Sequence, residues 1–504
     1  MNANAISLQR LFPAASFVGC ADVVVAGVSC DSRRVVPGDV FVALPGTRTD
    51  GHSYIRQAVA AGATAAIVRR PVSGLRLPQC VVDDVPVAYA RLCMALAGNP
   101  QRSVKTAGIT GTNGKTTTAF LLRSILEQSN CRCGLLGTVE FSDGLNSSAA
   151  SMTTPTADVL AGMMSDMVRH GSNHCVMEVS SHALHQKRCS GLQLSAAAIT
   201  NITQDHFDYH HTAENYRSAK AQIGTLLHGD APLLLNTDDT GCRQLLQENS
   251  FSNPVISLGM SPDAELRAEV LSTTHRSQRI RLHLAQGDAD VRLKLIGRHN
   301  VMNALFAAGL AEQLGIHLPQ IIAGLERMVS IPGRLERIDE GQSFQVLVDY
   351  AHTPDALAHC LNAIRQFTPG RLICVFGAGG ERDRSKRPLM AAAASAADSV
   401  VVTSDNPRSE DPGRIIEDVI RGFPPGCPFE CEVDRERAIL NAFRKAEPGD
   451  VVLIAGKGHE STQTIGDRTV PFDDRVVARR QLHEVIVSGP LTQIQPVYSV
   501  TRSA

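Results

Sequence analysis

The stretch that most constrains this chain spans residues 106–118 and reads TAGITGTNGKTTT. A β-prone segment leads into a glycine-rich turn, and apolar residues then recur at three- and four-residue spacing, which predicts an amphipathic helix. Glycines let a ligand approach the backbone, and the N-terminus of a helix attracts anions. A lysine and a hydroxyl at the start of that helix complete a layout that binds a polyphosphate.

In this loop Lys115 would reach the β- and γ-phosphates, and the Thr116 hydroxyl would bind Mg²⁺. One departure from the common pattern is that Ile109 stands at the usual place of the first glycine, while Gly108 comes one residue earlier. The alternative is a glycine-rich strand-to-helix turn with an incidental lysine. The predicted nucleotide-binding residues of the loop are Gly111, Thr112, Asn113, Gly114, Lys115, Thr116 and Thr117.

Length, charge and cysteine usage limit the class of protein. A chain of 504 residues exceeds one ordinary core and predicts about three domains. A net charge of −1 gives no basic surface for nucleic acid, and no apolar run is long enough to insert into a membrane. The N-terminus lacks the pattern of a signal peptide. The 13 cysteines show no Cys-x-x-Cys pair, which predicts reduced thiols and a cytoplasmic protein.

Two breaks in the apolar pattern divide the chain, one near residues 98–100 and one near residues 331–336, where Pro and Gly interrupt it. The segments on either side of the second break alternate strand-like and helix-like stretches, and the first hundred residues form a smaller unit. Such alternation predicts an α/β protein with mainly parallel sheets covered by helices. We therefore expect domains at residues 1–100, 101–335 and 336–504.

Polar loops follow several of the predicted strands. Three of them, at residues 377–382, 404–408 and 456–460, would converge on one site, because ligands bind at the carboxyl ends of strands in open α/β sheets. Glu178 ends a strand of the same sheet as the phosphate loop, where a Mg²⁺ ligand or a water-positioning group belongs. A capping carboxylate at the strand end is the alternative for this residue.

For other polar residues the pattern leaves two interpretations open. His206 suits a metal ligand or a hydrogen-bonded structural histidine, and Lys220 has the pattern of a surface lysine on a helix. Asn300 fits helix N-capping as easily as a nucleotide contact. The loops that contain Ser32 and residues 46–52 suit ligand binding or ordinary turns.

Taken in order, these motifs resemble the Mur ligase family of ATP-dependent amide-forming enzymes. The matching segments span nearly the whole chain and are residues 111–117, 178–182, 205–206, 220, 297–304 and 332–336. The resemblance implies a central P-loop ATPase domain built on a parallel sheet. It also implies a small N-terminal α/β domain that binds UDP and a C-terminal Rossmann-like domain that binds an amino acid.

Within the family, the chain is most similar to the members that attach the third residue of the peptidoglycan peptide. That similarity implies a monomer that adds meso-2,6-diaminopimelate to the D-Glu γ-carboxylate of UDP-N-acetylmuramoyl-L-Ala-D-Glu, using ATP and Mg²⁺ through an acyl phosphate. The implied catalytic residues are Lys115, Glu178, His206 and Lys220. Lys220 would be carbamylated, which turns a cation into an anion, and the implied metal ligands are Thr116, Glu178, His206 and carbamylated Lys220.

The resemblance also assigns substrate contacts by position in the motifs. ATP would contact the phosphate loop and, beyond it, Asn300, Arg334 and Asp349. The UDP-linked precursor would contact Ser32, Thr47, Arg48, Thr49, Thr153, Thr154, Ser180, Gln186 and Arg188. Diaminopimelate would contact Arg382, Asp405, Asn406, Pro407, Arg408, Gly456 and Glu460.

The side chain of Arg408 favours diaminopimelate on physical grounds as well. Diaminopimelate differs from lysine by a second carboxylate at its far end, which a guanidinium binds through two parallel hydrogen bonds. Lysine would leave that guanidinium unpaired, which costs several kcal/mol and gives roughly thousandfold discrimination. The alternatives are the lysine-adding member of the family, a folylpolyglutamate synthetase with the same ATPase layout, and a nucleotide-binding regulator.

Overall fold

The computed structural model describes residues 5–46, 49–274 and 276–488, so Thr47 and Arg48 lie outside the described residues. Within these ranges, three large sheets of five, eleven and six strands follow one another along the chain. Helices cover the sheets, which confirms the predicted α/β class. The predicted boundaries near residues 100 and 335 fall between the sheets, and the division into domains stays a prediction. Among the described residues, no helix has the length and apolar character needed to cross a membrane.

The first sheet has four parallel strands and one antiparallel edge strand. The elements around it are β1 (Ile6–Ser7), α1 (Leu8–Leu11), β2 (Ser16–Val18), β3 (Val24–Val25), β4 (Gly27–Ser29), β5 (Asp39–Val42), α2 (Ile55–Ala60), β6 (Ala65–Val68), β7 (Gln79–Val81) and α3 (Val85–Leu96). The strand order is β2-β7-β6-β5-β4. Every residue of β5 and β6 is buried, as expected for central strands covered on both faces.

The second sheet holds the phosphate loop at its centre. Its elements are β8 (Lys105–Thr110), α4 (Lys115–Gln128), β9 (Cys133–Leu136), β10 (Glu140–Ser142), β11 (Ser147–Ala149), α5 (Ala157–Arg169), β12 (His174–Glu178), α6 (Ser181–His185), β13 (Leu194–Ile199), α7 (Phe207–His210), α8 (Ala213–Ala221), β14 (Leu233–Asn236), α9 (Thr240–Glu248), β15 (Val255–Gly259), β16 (Leu266–Thr273), β17 (Gln278–Leu284), β18 (Gly287–Leu293), α10 (Arg298–Gln313) and α11 (Leu318–Arg327). The order is β11-β10-β9-β12-β8-β13-β14-β15-β16-β17-β18.

The seven central strands, β9-β12-β8-β13-β14-β15-β16 in sheet order, run parallel. The strand pairs at the two edges, β10 with β11 and β17 with β18, are antiparallel. At one edge, β17 alternates buried Ile280 and Leu282 with exposed Arg279 and Arg281, so one face packs on the core and the other faces solvent. The parallel centre brings the carboxyl ends of β8, β12 and β13 to one side of the sheet. The phosphate loop and the candidate metal ligand Glu178 both leave the sheet there.

The third sheet is parallel except at its first strand. Its elements are β19 (Glu336–Ile338), β20 (Gln345–Asp349), α12 (Pro354–Arg365), β21 (Leu372–Ala378), α13 (Lys386–Ala394), β22 (Ser399–Ser404), α14 (Pro412–Ile420), β23 (Phe429–Cys431), α15 (Arg435–Lys445), β24 (Val451–Ala455), β25 (Thr462–Ile465), β26 (Arg468–Pro471) and α16 (Asp474–Ser488). The order is β19-β20-β24-β21-β22-β23, and β25 and β26 form a separate hairpin.

A fully buried ion pair fixes the strand ends of this third sheet. Arg435 donates from Nη2 to Asp474 Oδ2 at 2.7 Å, and neither side chain is accessible to solvent. The same guanidinium also donates to the carbonyl oxygens of Ser404 and Ala455, the last residues of β22 and β24. The loops that follow these two strands therefore start from a rigid base.

Candidate active site

Two glycines of the phosphate loop are required by close contacts. Gly114 has a φ of +88°, and a Cβ on it would lie 2.3 Å from Asn303 Oδ1. A Cβ on Gly111 would lie 1.9 Å from Thr200 Oγ1. Neither position tolerates a side chain without displacement of its neighbour. Helix α4 begins immediately after the turn, at Lys115, so its N-terminal amides point into the loop.

Lys115 lies across the mouth of this loop. Its Nζ donates to the carbonyl oxygens of Gly111 at 2.8 Å and Thr112 at 3.0 Å. Burial lowers the pKa of Lys115, while the nearby carboxylates of Glu178 and Asp205 act in the opposite direction. The loop thus combines the N-terminal amides of α4 with a lysine held by the loop carbonyls, an arrangement suited to a polyphosphate.

Glu178 connects the phosphate loop to the segment that follows β9. Its Oε2 accepts hydrogen bonds from the hydroxyls of Thr116 and Thr138, both at 2.9 Å, and its Oε1 accepts from the Thr138 amide at 2.8 Å. The side chain is completely buried. These contacts hold the carboxylate beside the loop. Thr138 was not predicted, because its position follows from the pairing of β9 with β12 and leaves no local pattern.

Arg334 reaches the same hydroxyl from the segment that precedes the third sheet. Its Nη2 donates to Thr116 Oγ1 at 3.0 Å, and its guanidinium lies over the Tyr350 ring, 4.5 Å from the ring centroid. Its Nε is buried and has no hydrogen-bond partner among the described residues, which suits an anion. The backbone beside it is tightly packed, since a Cβ on Gly333 would lie 2.3 Å from the carbonyl carbon of Gly458.

Two other predicted ATP contacts are engaged within the protein. Asn300 Nδ2 donates to Ile296 O at 2.8 Å, and its Oδ1 accepts from Asn303 at 3.1 Å. The N-cap residue of α10 is Gly297, so the N-capping alternative for Asn300 is wrong. Asp349 accepts from two backbone amides at 2.7 Å, and burial raises its pKa. Direct contact of either residue with ATP stays a prediction.

Lys220 is buried in α8, so the surface-lysine interpretation is wrong. It is 1% exposed, and its Nζ lies 4.5 Å from the centroid of the Tyr216 ring. Burial, reinforced by the charge of Lys115, lowers the pKa of Lys220 well below its usual value. His206 Nε2 lies 3.4 Å from Asp205 Oδ2, and burial lowers the pKa of this histidine as well.

The donor set beside the loop fits Mg²⁺. Hydroxyl and carboxylate oxygens, as offered by Thr116 and Glu178, are ligands that this ion prefers. The described residues contain no group of three or more His, Cys, Asp or Glu side chains arranged around a metal position. Mg²⁺ is usually held by one or two carboxylates together with substrate phosphates, so a small protein donor set is sufficient. His206 and Lys220 stay predicted ligands.

Most of the predicted precursor contacts gather at the carboxyl end of β12. Thr154 Oγ1 accepts from the Ser180 amide at 2.9 Å, and Arg188 donates to Thr154 O at 3.2 Å and to Gln186 Oε1 at 2.8 Å. Thr153 Oγ1 lies 3.1 Å from Thr138 Oγ1. The structure therefore brings together Thr153, Thr154, Ser180, Gln186 and Arg188.

Tyr209 joins this cluster without having been predicted. Its hydroxyl accepts from Gln186 Nε2 at 3.1 Å, and its ring packs on His182 with the centroids 4.2 Å apart. On the first sheet, Ser32 donates to Gln57 Oε1 at 3.0 Å, and Thr49 accepts from Tyr54 at 3.4 Å.

A buried lysine connects two of the three polar loops on the third sheet. Lys457 Nζ lies 3.1 Å from Glu460 Oε2 and 3.3 Å from Asn406 Oδ1, and Asn406 Nδ2 donates to the same Glu460 oxygen at 2.9 Å. Asp405 packs closely against the strand end, since a Cβ on Gly456 would lie 2.8 Å from Asp405 Oδ2. Lys457 was not predicted, although it lies within the GKGHE segment.

Two arginines lie beside Gly379 at the edge of this cluster. A Cβ on Gly379 would be 3.2 Å from Arg408 Nη1 and 3.6 Å from Arg382 Cγ. Burial, followed by the charge of Arg382, lowers the pKa of Arg408. Arg408 has a φ of +53°, a strained conformation that occurs often at binding sites, and its neighbour Pro407 packs with its carbonyl on Gly380. Adjacent cations of this kind suit a carboxylate ligand.

Comparison with known proteins identifies the family. Models of the Mur ligase family match at residues 24–98 (catalytic domain), 109–311 (middle domain) and 333–458 (glutamate ligase domain). The UDP-N-acetylmuramoyl-L-alanyl-D-glutamate–2,6-diaminopimelate ligase of Gloeobacter violaceus is 43% identical over 465 residues, which cover 92% of this chain and 94% of that protein. The chain belongs to the Mur ligase family. The ligase of the same name from Geobacillus kaustophilus is 42% identical over 92% of this Mur ligase chain and 96% of its own.

Solved structures agree with this assignment. A UDP-N-acetylmuramoyl-L-alanyl-D-glutamate–2,6-diaminopimelate ligase superposes with a TM-score of 0.67 at 30% identity, covering 95% of this Mur ligase and 99% of that chain. A folylpolyglutamate synthase from Mycobacterium tuberculosis shares the fold with a TM-score of 0.60 at 21% identity, covering 74% of this chain and 93% of its own. The family and the fold class expected from the motifs are confirmed.

One prediction concerns the loop next to Arg382. Glu410 pairs with the buried Arg387 at 2.9 Å and accepts from the Glu381 amide, and the hydrogen bond from Arg387 lowers the pKa of Glu410 to about 2. Because the folded-state pKa is depressed, this stabilisation is complete above the unfolded pKa of about 4.3 and is lost as the pH falls toward 2. Glu410→Gln should lower the free energy of unfolding by about 2 kcal/mol at pH 7.

Urea unfolding of both proteins between pH 7 and pH 3 measures this difference. The difference between their free energies of unfolding should decrease steadily below about pH 4. Glu417→Gln, at an exposed position of α14, is the matched control and should leave stability within about 0.5 kcal/mol. A gap of constant size across the whole range would contradict the role of Glu410.

Proposed function

We propose that this chain adds meso-2,6-diaminopimelate to the D-Glu γ-carboxylate of UDP-N-acetylmuramoyl-L-Ala-D-Glu, with hydrolysis of ATP to ADP and phosphate. The observation that carries the proposal is the pairing of charges on the third sheet. Arg382 and Arg408 provide nearby cations for a carboxylate. The partly exposed Glu460 carboxylate, held by Asn406 and Lys457, provides an acceptor for an ammonium group. Such a set complements an amino acid that carries a carboxylate at its far end.

Phosphoryl transfer takes place at the phosphate loop. The γ-carboxylate of D-Glu attacks the γ-phosphorus of ATP, ADP leaves, and an acyl phosphate forms. Lys115 and the amides at the start of α4 offset the charge of the phosphates, and Arg334, which contacts the Thr116 hydroxyl, adds a further positive charge. These groups suit phosphoryl transfer, whose rate depends mainly on the positioning of the reactants and on electrostatic stabilisation of the transition state. The cluster around Thr154 and Arg188 would hold the precursor beside the loop.

Amide formation follows on the acyl phosphate. The amine nitrogen of diaminopimelate attacks the acyl carbon, the tetrahedral intermediate expels phosphate, and the nitrogen gives up a proton to become an amide. The loops of the third sheet orient the amino acid for this step. Water would hydrolyse the acyl phosphate without product, so contacts that close the third sheet over the phosphate loop preserve the intermediate.

Mg²⁺ belongs beside the phosphate loop in this proposal. Thr116 and Glu178 would hold it, with His206 and carbamylated Lys220 as further ligands. When bound, the ion neutralises charge on the phosphates. Burial of Lys220 beside Lys115 disfavours its ammonium form, and the neutral amine is the form that adds carbon dioxide, losing a proton to give the carbamate. The cytoplasmic location and the monomeric state also belong to the proposal, and free thiols at all 13 cysteines suit a reducing compartment.

The alternatives fit the observations less well. Lysine would leave the Arg382 and Arg408 pair without a carboxylate. The folylpolyglutamate synthase structure covers 74% of this chain, whereas a Mur ligase model also matches residues 24–98. A regulator that only binds nucleotide would not need the two guanidiniums beside Glu460.

Phosphate release tests the proposal directly. The protein is supplied with ATP, Mg²⁺ and UDP-N-acetylmuramoyl-L-Ala-D-Glu, and meso-diaminopimelate and L-lysine are added in separate reactions. We expect release with diaminopimelate only, with a matching mass gain of the UDP-linked product. Release with lysine only would agree with the proposed mechanism but contradict the proposal that Arg408 selects diaminopimelate. No release with either amino acid would favour the regulator or the folate-type ligase.

A second prediction concerns the buried Lys457. Lys457→Met should raise KM for diaminopimelate by about tenfold or more, because Glu460 and Asn406 lose the group that holds them together and Glu460 loses its counter-charge. The Kd for ATP should change less than about twofold, since this network lies on the loops of the third sheet. Steady-state phosphate release and calorimetric ATP titration measure the two effects.

Lys445→Met, at an exposed position of the same sheet domain, is the control for this substitution. It should leave both constants close to those of the parent protein. If Lys457→Met changed ATP binding as much as KM for diaminopimelate, the lysine would act on the fold of the whole domain and not on the amino-acid pocket.

A further inference from the structure

One carboxylate connects the third sheet domain to the phosphate loop. Asp355 lies in the first turn of α12. Its Oδ2 accepts from Asn113 Nδ2 and from Thr203 Oγ1, both at 3.2 Å. Its Oδ1 lies 3.2 Å from His359 Nε2 on its own helix. Both groups that reach across to Asp355 come from the central domain, and one of them is part of the loop itself.

The backbone of the loop is held separately at the same residue. The Asn113 amide donates to Asn201 Oδ1 at 2.8 Å, and Asn113 O accepts from Thr200 Oγ1 at 2.6 Å. These bonds tie the loop to the end of β13. The side-chain amide of Asn113 is directed to Asp355 instead, so the loop touches both its own sheet and the helix of the neighbouring domain.

We propose that Asp355 is a positioning residue that couples docking of the C-terminal domain to the conformation of the phosphate loop. The inference rests on the proposed function, because amide formation requires the amino-acid loops and the acyl phosphate to meet. By linkage, nucleotide binding and domain docking then favour each other by the same factor. The hydrogen bond from His359 lowers the pKa of Asp355, which keeps the carboxylate ionised as an acceptor for both donors.

Nucleotide binding and hydrogen exchange test this coupling without the amino acid. Asp355→Ala should weaken binding of a non-hydrolysable ATP analogue by about tenfold, within the usual range of coupling between sites. Exchange should become faster in residues 111–118, and the analogue should no longer slow exchange in α12. Thr203→Val removes one of the two donors and should weaken binding by about threefold. Glu417→Ala, an exposed carboxylate on α14, should match the parent protein.

The outcomes separate the inference from the proposed function. If Asp355→Ala bound the analogue and exchanged like Glu417→Ala, the coupling would be overturned, whatever the substrate. If the parent protein released no phosphate with diaminopimelate while the binding and exchange effects appeared, the coupling would stand and the proposed function would fail. Asp355→Asn keeps the side-chain size and carries the same test should Asp355→Ala unfold. Binding by Asp355→Asn equal to that of the parent would also overturn the coupling.

Discussion

Replacing Arg408 by alanine is expected to lower kcat/KM for meso-diaminopimelate about a thousandfold and to leave the Kd for ATP within about twofold of the parent value. The guanidinium lies beside Arg382, half-buried, where a bidentate contact with the distal carboxylate would be poorly replaced by water. ATP would bind at the phosphate loop of the other domain. Steady-state phosphate release at varied diaminopimelate, with separate ATP titrations, measures both effects.

Two further variants sharpen this test. Arg408→Lys keeps a positive charge but loses the planar fork, so it should recover only part of the lost activity. Arg414→Ala removes an exposed arginine from α14 and should behave like the parent protein. Equal losses in diaminopimelate use and in ATP binding would remove Arg408 as the selector. The ratio of lysine to diaminopimelate use should rise in Arg408→Ala, since the unpaired cation no longer opposes lysine.

The second large effect is expected at Lys220. Lys220→Ala should lower kcat by more than about a thousandfold, because the proposed carbamate would no longer form and could not help to place Mg²⁺ at the phosphates. A small carboxylate such as acetate fits the space that the side chain leaves and should restore part of the activity. Single-turnover phosphate release, with and without acetate, measures the loss and the rescue.

The matched control for this variant is Lys294→Ala, at an exposed position of the same domain. It should retain full activity and should not respond to acetate. Thermal unfolding of Lys220→Ala and Lys220→Met distinguishes a lost anion from a lost fold, because methionine fills the buried space but supplies no charge. Full activity of Lys220→Ala would exclude the carbamate.

Features of this chain that depend on residues close together in the sequence could be predicted. The phosphate loop could be predicted because a strand, two glycines, a lysine and a helix lie within thirteen residues and each has its own conformational preference. The convergence of the loops at Arg382, Asn406 and Glu460 was predictable too, since the carboxyl ends of parallel strands meet at one edge.

Features that depend on tertiary contacts were not predictable from pattern. Lys220 has the helical spacing of a surface lysine, and only the packing of α8 against α6, α7 and α9 reveals its burial. Thr138, Lys457 and Asp355 act through partners that lie 40, 51 and 242 residues away. The resemblance to a family, and not the composition of the helix, suggested a special role for Lys220.

The tight packing of Gly333 against Gly458 has a consequence for the order of events. Arg334, which contacts the phosphate-loop threonine, follows Gly333 directly, and Gly458 lies between Lys457 and Glu460 of the amino-acid loop. With almost no space between the two backbones, displacement of one segment is transmitted to the other. Arrival of the amino acid should therefore be sensed at the phosphates before any bond forms. Binding of the amino acid would then change the conformation at the phosphate loop, so that the acyl phosphate meets the amine only after the amino acid is bound.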